Sequence, residues 1–149
     1  MSRQQNGGIF KIRESLQALS RDHREITAIY LFGSTATGKA GPLSDVDVAV
    51  LLDESRLKPE RGFGLQAALI SDAMHACRRL DVDVVLLNYA TPLLAYEVVR
   101  EGKVLFERNR DARVAFEARA VGHYLDLKPF YQVQRSYLKR QLLRKGRGG

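Results

Sequence analysis

The sequence has 149 residues, of which 45% are hydrophobic and 28% charged, and its formal net charge is +7. Its single cysteine excludes a disulfide framework and a cysteine-rich zinc module. No apolar run approaches the ~18–20 residues of a membrane span, and the polar first eight residues do not resemble a signal peptide. We therefore expect a cytoplasmic protein with no membrane association, built as one domain over residues 1–149.

Hydrophobic periodicity predicts alternating helices and strands, and hence a small mixed sheet flanked by helices, of the α/β (α+β) class. Thr91-Pro92 is typical of a helix start and Gly102 of a helix end. Pro129 predicts a break or kink near Lys128. The predicted elements are a helix over about 8–22, strands over 26–32 and 45–52, a helix over about 60–79, a strand over 81–87, a helix from Thr91 to Gly102, a strand over 103–106 and helices over about 111–145.

The net positive charge is concentrated towards the C-terminus. Residues 108–149 contain eleven of the 24 basic residues but three of the 17 acidic ones, so we separate a core over about 8–107 from a basic helical segment over about 108–149. The basic residues near the end of this segment form a cluster with three interpretations: a solvated helix end, a docking surface for an acidic partner, or an RNA-binding surface. The last is least favoured, because no aromatic residues interleave with the charges. The cluster comprises Arg135, Lys139, Arg140, Arg144, Lys145 and Arg147.

Gly33 and Ser34 directly follow the first predicted strand, at the head of a loop of small residues. Backbone N–H groups exposed in such a loop bind phosphate, and glycine allows the backbone to approach the anion closely. The Ser34 hydroxyl adds a further donor. On its own this pattern is more typical of a simple turn.

Asp45 and Asp47 lie at the start of the second strand. Residues i and i+2 of a strand face the same side, so these carboxylates lie roughly 7 Å apart. Two like charges at this distance require a compensating cation or proton. Oxygen ligands beside phosphates suit Mg²⁺.

A third carboxylate lies on the strand over 81–87, as either Asp83 or Asp81. If this strand pairs with the strand of Asp45 and Asp47, the two backbones lie about 4.8 Å apart. The three carboxylates then converge on two cations at the spacing used in two-metal phosphoryl chemistry. Asp83 is favoured over Asp81, which would then be a supporting or solvated residue.

Gly33-Ser34, ten further residues and Asp45-x-Asp47 together resemble the GSx10DxD signature of minimal nucleotidyltransferases of the DNA polymerase β superfamily. The third acidic strand with Asp83 fits the same pattern, and residues 124–130 (YLDLKPF) are similar to the tail of the MntA antitoxin branch. The resemblance covers about Ile26 to Leu143. It implies a polymerase-β-like fold and an antitoxin that transfers AMP from ATP, with Mg²⁺, to a tyrosine of a HEPN-domain ribonuclease toxin.

The resemblance also implies the role of each matching residue. Gly33 and Ser34 would hold the triphosphate, with Ser44 and Lys39 counted as further nucleotide-binding residues. The metal ligands and catalytic residues would be Asp45, Asp47 and Asp83. The sequence departs from many relatives in having Thr37, rather than a basic residue, before the second glycine of the loop, so Lys39 would supply the charge near the phosphates.

Two other functions remain open: nucleotidyl transfer to a small hydroxyl compound, and neutralisation of a toxin by docking alone. We expect a hetero-complex with a protein toxin, and no direct nucleic-acid binding. The histidines lack metal-ligand spacing and are expected at the surface, Cys77 is expected near the core, and Tyr124 and Tyr131 are expected to pack. These histidines are His23, His75 and His123.

Overall fold

A computed structural model of the protein describes residues 2–33, 45–57 and 62–147. Short 3₁₀ turns at Glu54–Arg56 and Leu87–Tyr89 follow the second and third strands. The observed order agrees with the predicted order, except that the C-terminal segment is a single helix. The elements are α1 (Ser2–Asp22), β1 (Ile26–Phe32), β2 (Val46–Leu52), α2 (Gly62–Cys77), β3 (Val82–Leu86), α3 (Pro92–Glu101), β4 (Lys103–Glu107) and α4 (Arg110–Arg147).

The four strands form one mixed sheet in the order β3-β2-β1-β4. β1 pairs antiparallel with both β2 and β4, whereas β2 and β3 are parallel. The parallel pair follows from the connection through α2, since parallel neighbours need a crossover of helical length. β2 is therefore a central strand, as its nearly continuous apolar sequence predicts, and the expected fold class is confirmed.

Side chains of the strands alternate between two apolar layers. On one face, Val46, Val48 and Val50 of β2 are fully buried in the cluster that includes residues of α1 and α2. On the other face, Ala49 and Leu51 join Tyr30 in the cluster that includes residues of α3. This alternation places Asp47, between Val46 and Val48, on the α3 face of the sheet.

α3 begins and ends where the sequence predicts. The Thr91 hydroxyl accepts a hydrogen bond from the backbone N–H of Leu94, with Pro92 at the first helical position. Gly102 follows the last helical residue. Its φ is −71°, so a left-handed backbone is not the reason for glycine at this position. A Cβ at this position would collide with the Val98 carbonyl, so the close approach of the chain requires glycine.

The predicted break at Pro129 is wrong, because α4 continues through this residue to Arg147; the alternative of a kink stays a prediction. Proline removes one hydrogen bond to the carbonyl four residues earlier, that of Leu125. Leu125 is exposed, so water can hydrate that carbonyl and the helix persists.

His23 corrects the expectation that all three histidines lie at the surface. Its side chain is only 12% exposed, and it contacts Glu25 at 3.2 Å and Asp72 of α2 at 2.7 Å. These contacts join the end of α1 to α2. His75 and His123 are exposed as expected, and Cys77 packs against the core.

Within the described ranges, no helix combines the length and the apolar character needed to cross a bilayer.

Candidate active site

Asp47 and Asp83 lie side by side in the sheet. They are register partners in the parallel ladder of β2 and β3, so both side chains project from the same face of the sheet. The pairing depends partly on Asp81, whose carbonyl accepts a hydrogen bond from the Val46 N–H at 2.9 Å. The expected adjacency of the two acidic strands is therefore confirmed.

Asp45 directly precedes β2 and adds a third negative charge to this group. Partial burial raises the pKa of Asp47 above its ordinary value, and the charges of Asp83 and Asp45 raise it further. The three acids are thus close enough to repel one another, and the ionised form of Asp47 is destabilised until a cation approaches.

Gly33 closes the site at the end of β1. Its φ is +73°, a left-handed conformation that favours glycine, and a Cβ built on it would collide with Oδ2 of Asp47. The first residue of the predicted phosphate loop therefore lies against the central carboxylate. The other predicted nucleotide-binding residues, Ser34, Lys39 and Ser44, lie outside the described residues.

Asp81 is engaged elsewhere. It accepts two hydrogen bonds from Arg79, from Nε at 2.7 Å and from Nη2 at 2.5 Å, and these lower the pKa of its carboxyl. Asp83 has the register position beside Asp47. The geometry thus favours Asp83 as the third acid and gives Asp81 a supporting position.

Arg79 is a residue of this region that our sequence analysis did not identify. Its hydrogen bonds to Asp81 raise its pKa, and the charge of Asp45 contributes to the same shift. The turn that positions it ends α2, where Arg78 has a φ of +52° and the Arg79 N–H bonds to the Met74 carbonyl at 3.1 Å. The Arg-Arg pair just before the acidic strand is the signal that could have revealed it.

The chemistry of this donor set fits a divalent cation. Carboxylate oxygens are the ligands that Mg²⁺ prefers, and it is usually bound through one or two carboxylates together with substrate phosphates. Within the described part of the chain, no three His, Cys, Asp or Glu side chains are gathered closely enough to hold one ion between them. The residues therefore fit a cation whose coordination nucleotide phosphates and water complete.

A large cavity formed by the described residues lies elsewhere. It measures about 830 Å³ and lies beyond the last residues of β2, where Leu52, Asp53 and Asn88 line it. Asp45, Asp47 and Asp83 do not line it. We place the candidate site at the acids, because their like charges and their close approach to the left-handed Gly33 need a chemical explanation.

The sequence profile of the family "Polymerase beta, Nucleotidyltransferase" matches residues 14–111, a range that includes Gly33 and all three acids. The chain belongs to the polymerase β nucleotidyltransferase family. Within this family it is of the MntA type. The protein adenylyltransferase MntA of Aphanizomenon flos-aquae is 30% identical over 142 residues, which are 93% of this chain and 95% of that protein.

Two solved structures support the same assignment of this nucleotidyltransferase. A toxin–antitoxin crystal structure with AMP-PNP contains a chain 27% identical, with a TM-score of 0.71, covering 85% of this chain and 98% of that one. A crystal structure of the MntA–HepT toxin–antitoxin contains a chain 26% identical, with a TM-score of 0.66, covering 86% and 97% respectively. The polymerase-β-like fold expected from the sequence is therefore confirmed.

Proposed function

We propose that this nucleotidyltransferase is an antitoxin that transfers AMP from ATP to a tyrosine of a cognate HEPN-domain ribonuclease toxin and so neutralises it. The observation that carries this proposal is the grouping of Asp47 with Asp83 and Asp45 against the left-handed Gly33. Similarity to a protein adenylyltransferase and to a toxin–antitoxin with a bound ATP analogue supports it.

In the proposed reaction, the tyrosine oxygen attacks the α-phosphorus of ATP. A new bond joins this oxygen to phosphorus, the bond from the α-phosphorus to the bridging oxygen breaks, and pyrophosphate leaves with the electron pair. The hydroxyl proton passes to the exposed carboxylate of Asp83. Catalysis of this kind consists mainly of positioning and charge stabilisation.

The site residues have distinct roles in this proposal. Gly33, Ser34, Lys39 and Ser44 would bind the triphosphate, with Lys39 supplying positive charge near the phosphates. Asp45 and Asp47 would hold Mg²⁺, and Asp83 would complete a two-metal site rather than join them on a single ion. When bound, Mg²⁺ neutralises phosphate charge and lowers the pKa of the attacking hydroxyl. Arg79 binds Asp81 beside the site, and its positive charge also acts on Asp45.

We also propose that residues 1–149 form one domain, made of a core and a C-terminal segment. The core of about 8–107 carries the chemistry, and the segment of about 108–149 contributes a partner surface. A protein acceptor fits this organisation, because the toxin supplies the remainder of the acceptor site. We propose the cytoplasm as the location of this activity, because both ATP and a ribonuclease's RNA substrate are found there.

The direct experiment incubates the protein with α-labelled ATP, Mg²⁺ and purified toxin, and measures the intact mass of the toxin. We expect one or more AMP units on the toxin with the native protein and none with Asp45→Ala/Asp47→Ala. Asp53→Asn is the matched control, since Asp53 follows the opposite end of β2 and binds Ser55. An unmodified toxin, or equal labelling by the double variant, contradicts the proposal.

The same experiment separates the two alternatives. A double variant that labels nothing but still neutralises the toxin would indicate neutralisation by docking alone. Label that moves to a small hydroxyl compound rather than to the toxin would indicate a small-molecule nucleotidyltransferase.

A further inference from the structure

The C-terminal half of α4 extends beyond the globular body. Ala120 is the last buried residue of this helix. Tyr124 then stacks on Tyr96 of α3, with ring centroids 3.8 Å apart, and Tyr131 follows at 6.0 Å from Tyr124. Every residue from 132 to 146 is exposed. We name residues 130–146 the arm; as a helix it is about 25 Å long.

The arm presents an apolar stripe to solvent. Its residues recur at intervals of three, four, one and four positions, which at about 100° per residue keeps them within one half of the helix circumference. Each is between 57% and 72% exposed. The residues of the stripe are Phe130, Val133, Tyr137, Leu138 and Leu142.

Five large apolar side chains on one half of an exposed helix, with Gln134 and Gln141 between them, exceed the scattered exposure that is normal at protein surfaces. A free-standing helix with this pattern corresponds to the ligand half of a helix-in-groove interaction. Leu143, which is 61% exposed, lies on the opposite side of the helix and does not belong to the stripe.

The charge of the arm identifies the kind of partner. Residues 130–146 contain Arg135, Lys139, Arg140, Arg144 and Lys145, and no acidic residue. Arg135 borders the stripe on one side and Arg140 on the other, whereas Arg144 and Lys145 lie on the same half of the helix as the stripe, at its C-terminal end. Two copies packed stripe to stripe would bring ten positive charges together without a negative one, which disfavours a second copy of this chain. The complementary surface is an apolar groove with an acidic rim.

The course of α4 relates the arm to the site. Just before α4, the Arg108 N–H bonds to the Thr27 carbonyl near the start of β1 at 2.7 Å. Further along, Glu117 accepts a hydrogen bond from the hydroxyl of Tyr30, nearer the end of β1. The helix thus runs along β1 towards the end where Gly33 and Asp47 lie. A partner held by the arm is therefore delivered to the same end of the molecule as the acids.

We infer that the arm is a docking element that binds an acid-rimmed apolar groove of the toxin and holds its acceptor tyrosine near the acids. The identity of the partner rests on the proposed function. The apolar and acidic character of the groove is inferred from the apolar stripe and the basic residues of the arm.

The test measures binding of purified, unmodified HEPN-domain toxin in the Asp45→Ala/Asp47→Ala background, so that failure of AMP transfer leaves the measurement intact. We expect Val133→Gln/Tyr137→Gln/Leu138→Gln to raise the Kd at least about tenfold, the range of interface anchor residues. Leu143→Gln, on the opposite face, should leave it unchanged. Because the three side chains are exposed, circular dichroism should show unchanged helicity in both variants.

A second measurement uses catalytically intact protein. The triple variant should label the toxin slowly at low toxin concentration and reach the native rate at saturation, since it weakens docking and not chemistry. Raising the salt concentration should weaken toxin binding by native protein, because the basic border contributes.

Three results would overturn the inference. Equal toxin binding by the triple variant and Leu143→Gln removes the role of the stripe. A dimer of the free protein that the triple variant dissociates assigns the stripe to a second copy. Stripe-dependent binding to vesicles of anionic phospholipid, without an effect on toxin binding, assigns it to a membrane surface.

Discussion

Gly33 and Asp47 are in contact across the ends of β1 and β2, and Oδ2 of the aspartate lies within clashing distance of the position that a Cβ of residue 33 would take. This contact joins the predicted phosphate loop to the predicted metal ligand. A side chain at residue 33 would displace the carboxylate and would also be strained by the left-handed backbone.

We therefore expect Gly33→Ala to lower AMP transfer at least about 100-fold, in the range seen when a preorganised charge-stabilising group is lost. The strain should also destabilise the fold by about 1–2 kcal/mol. Gly122→Ala is the matched control, because a Cβ at this exposed helical position meets nothing within 4 Å. It should stabilise the protein by about 0.5–1 kcal/mol with unchanged transfer. Full activity in Gly33→Ala would contradict the assignment of this contact to the site.

Asp47 should reduce the stability of the metal-free protein at neutral pH. Burial and its acidic neighbours raise its folded-state pKa above the ordinary value of 3.8, so the folded state binds a proton more tightly than the unfolded state. The cost of the charged form is thus present at neutral pH and disappears as the pH falls through the folded pKa towards 3.8. In EDTA, Asp47→Asn should have a higher Tm than the native protein at pH 7, and the difference should shrink at acidic pH.

Removing the charge of Asp81 should change the Tm in the opposite direction to removing that of Asp47. The hydrogen bonds from Arg79 lower its folded-state pKa, so its contribution is stabilising at neutral pH and is lost as the pH falls below the unfolded value. Asp81→Asn should therefore lower the Tm at pH 7, with a smaller effect at acidic pH. Thermal melts of Asp47→Asn and Asp81→Asn across pH 3–8 check both predictions. A Tm change of the same sign in both variants at pH 7 would refute this electrostatic account.

The choice between Asp83 and Asp81 as the third acid is directly testable. Asp83→Asn should lower transfer to the toxin by about 100-fold or more, as expected for loss of a charge-stabilising ligand. Asp81→Asn should lower it less than about tenfold, because its carboxylate is held by Arg79 and acts only through position. Initial rates at saturating ATP and Mg²⁺ distinguish the two, and a larger loss in Asp81→Asn would reverse the assignment.

Asn88 completes the end of the sheet away from the acids. Its Oδ1 accepts a hydrogen bond from the Leu52 N–H at 2.8 Å, and its Nδ2 donates to the Leu52 carbonyl at 2.9 Å. Asn88→Ala leaves both backbone groups of a buried residue unpaired and should cost about 1–3 kcal/mol, measured by urea unfolding. Gln132→Ala, on the exposed arm, should change stability by less than about 0.5 kcal/mol. Transfer at 25 °C should be retained in both variants, since Asn88 is remote from the acids.

The strands and the adjacency of the acids were predictable because local patterns determine them. The β-branched sequence of β2 can be buried on both faces only in a central strand. A helix between β2 and β3 then makes a parallel neighbour of the strand that carries Asp83. The spacing of the two aspartates around Val46 fixes the face on which they lie.

The long C-terminal helix was less predictable, because its apolar residues lie on several sides. Val114 and Leu125 are exposed, whereas Ala120 is buried and Phe116 packs on the core, so tertiary contact with α3 selects the buried face. The continuity through Pro129 depends on solvent exposure of the preceding turn. His23 was expected at the surface because its partner Asp72 is 49 positions away.

The mixed pairing of the sheet has a consequence for recognising related sequences. From Gly33 to Asp47 the chain connects the antiparallel neighbours β1 and β2, so an insertion there would fall beside the proposed phosphate site. Between Asp47 and Asp83 it passes through α2, which packs on the far side of the sheet, and extra turns or longer linkers can be added there without moving either carboxylate. A search pattern should therefore hold the first interval narrow and let the second vary widely.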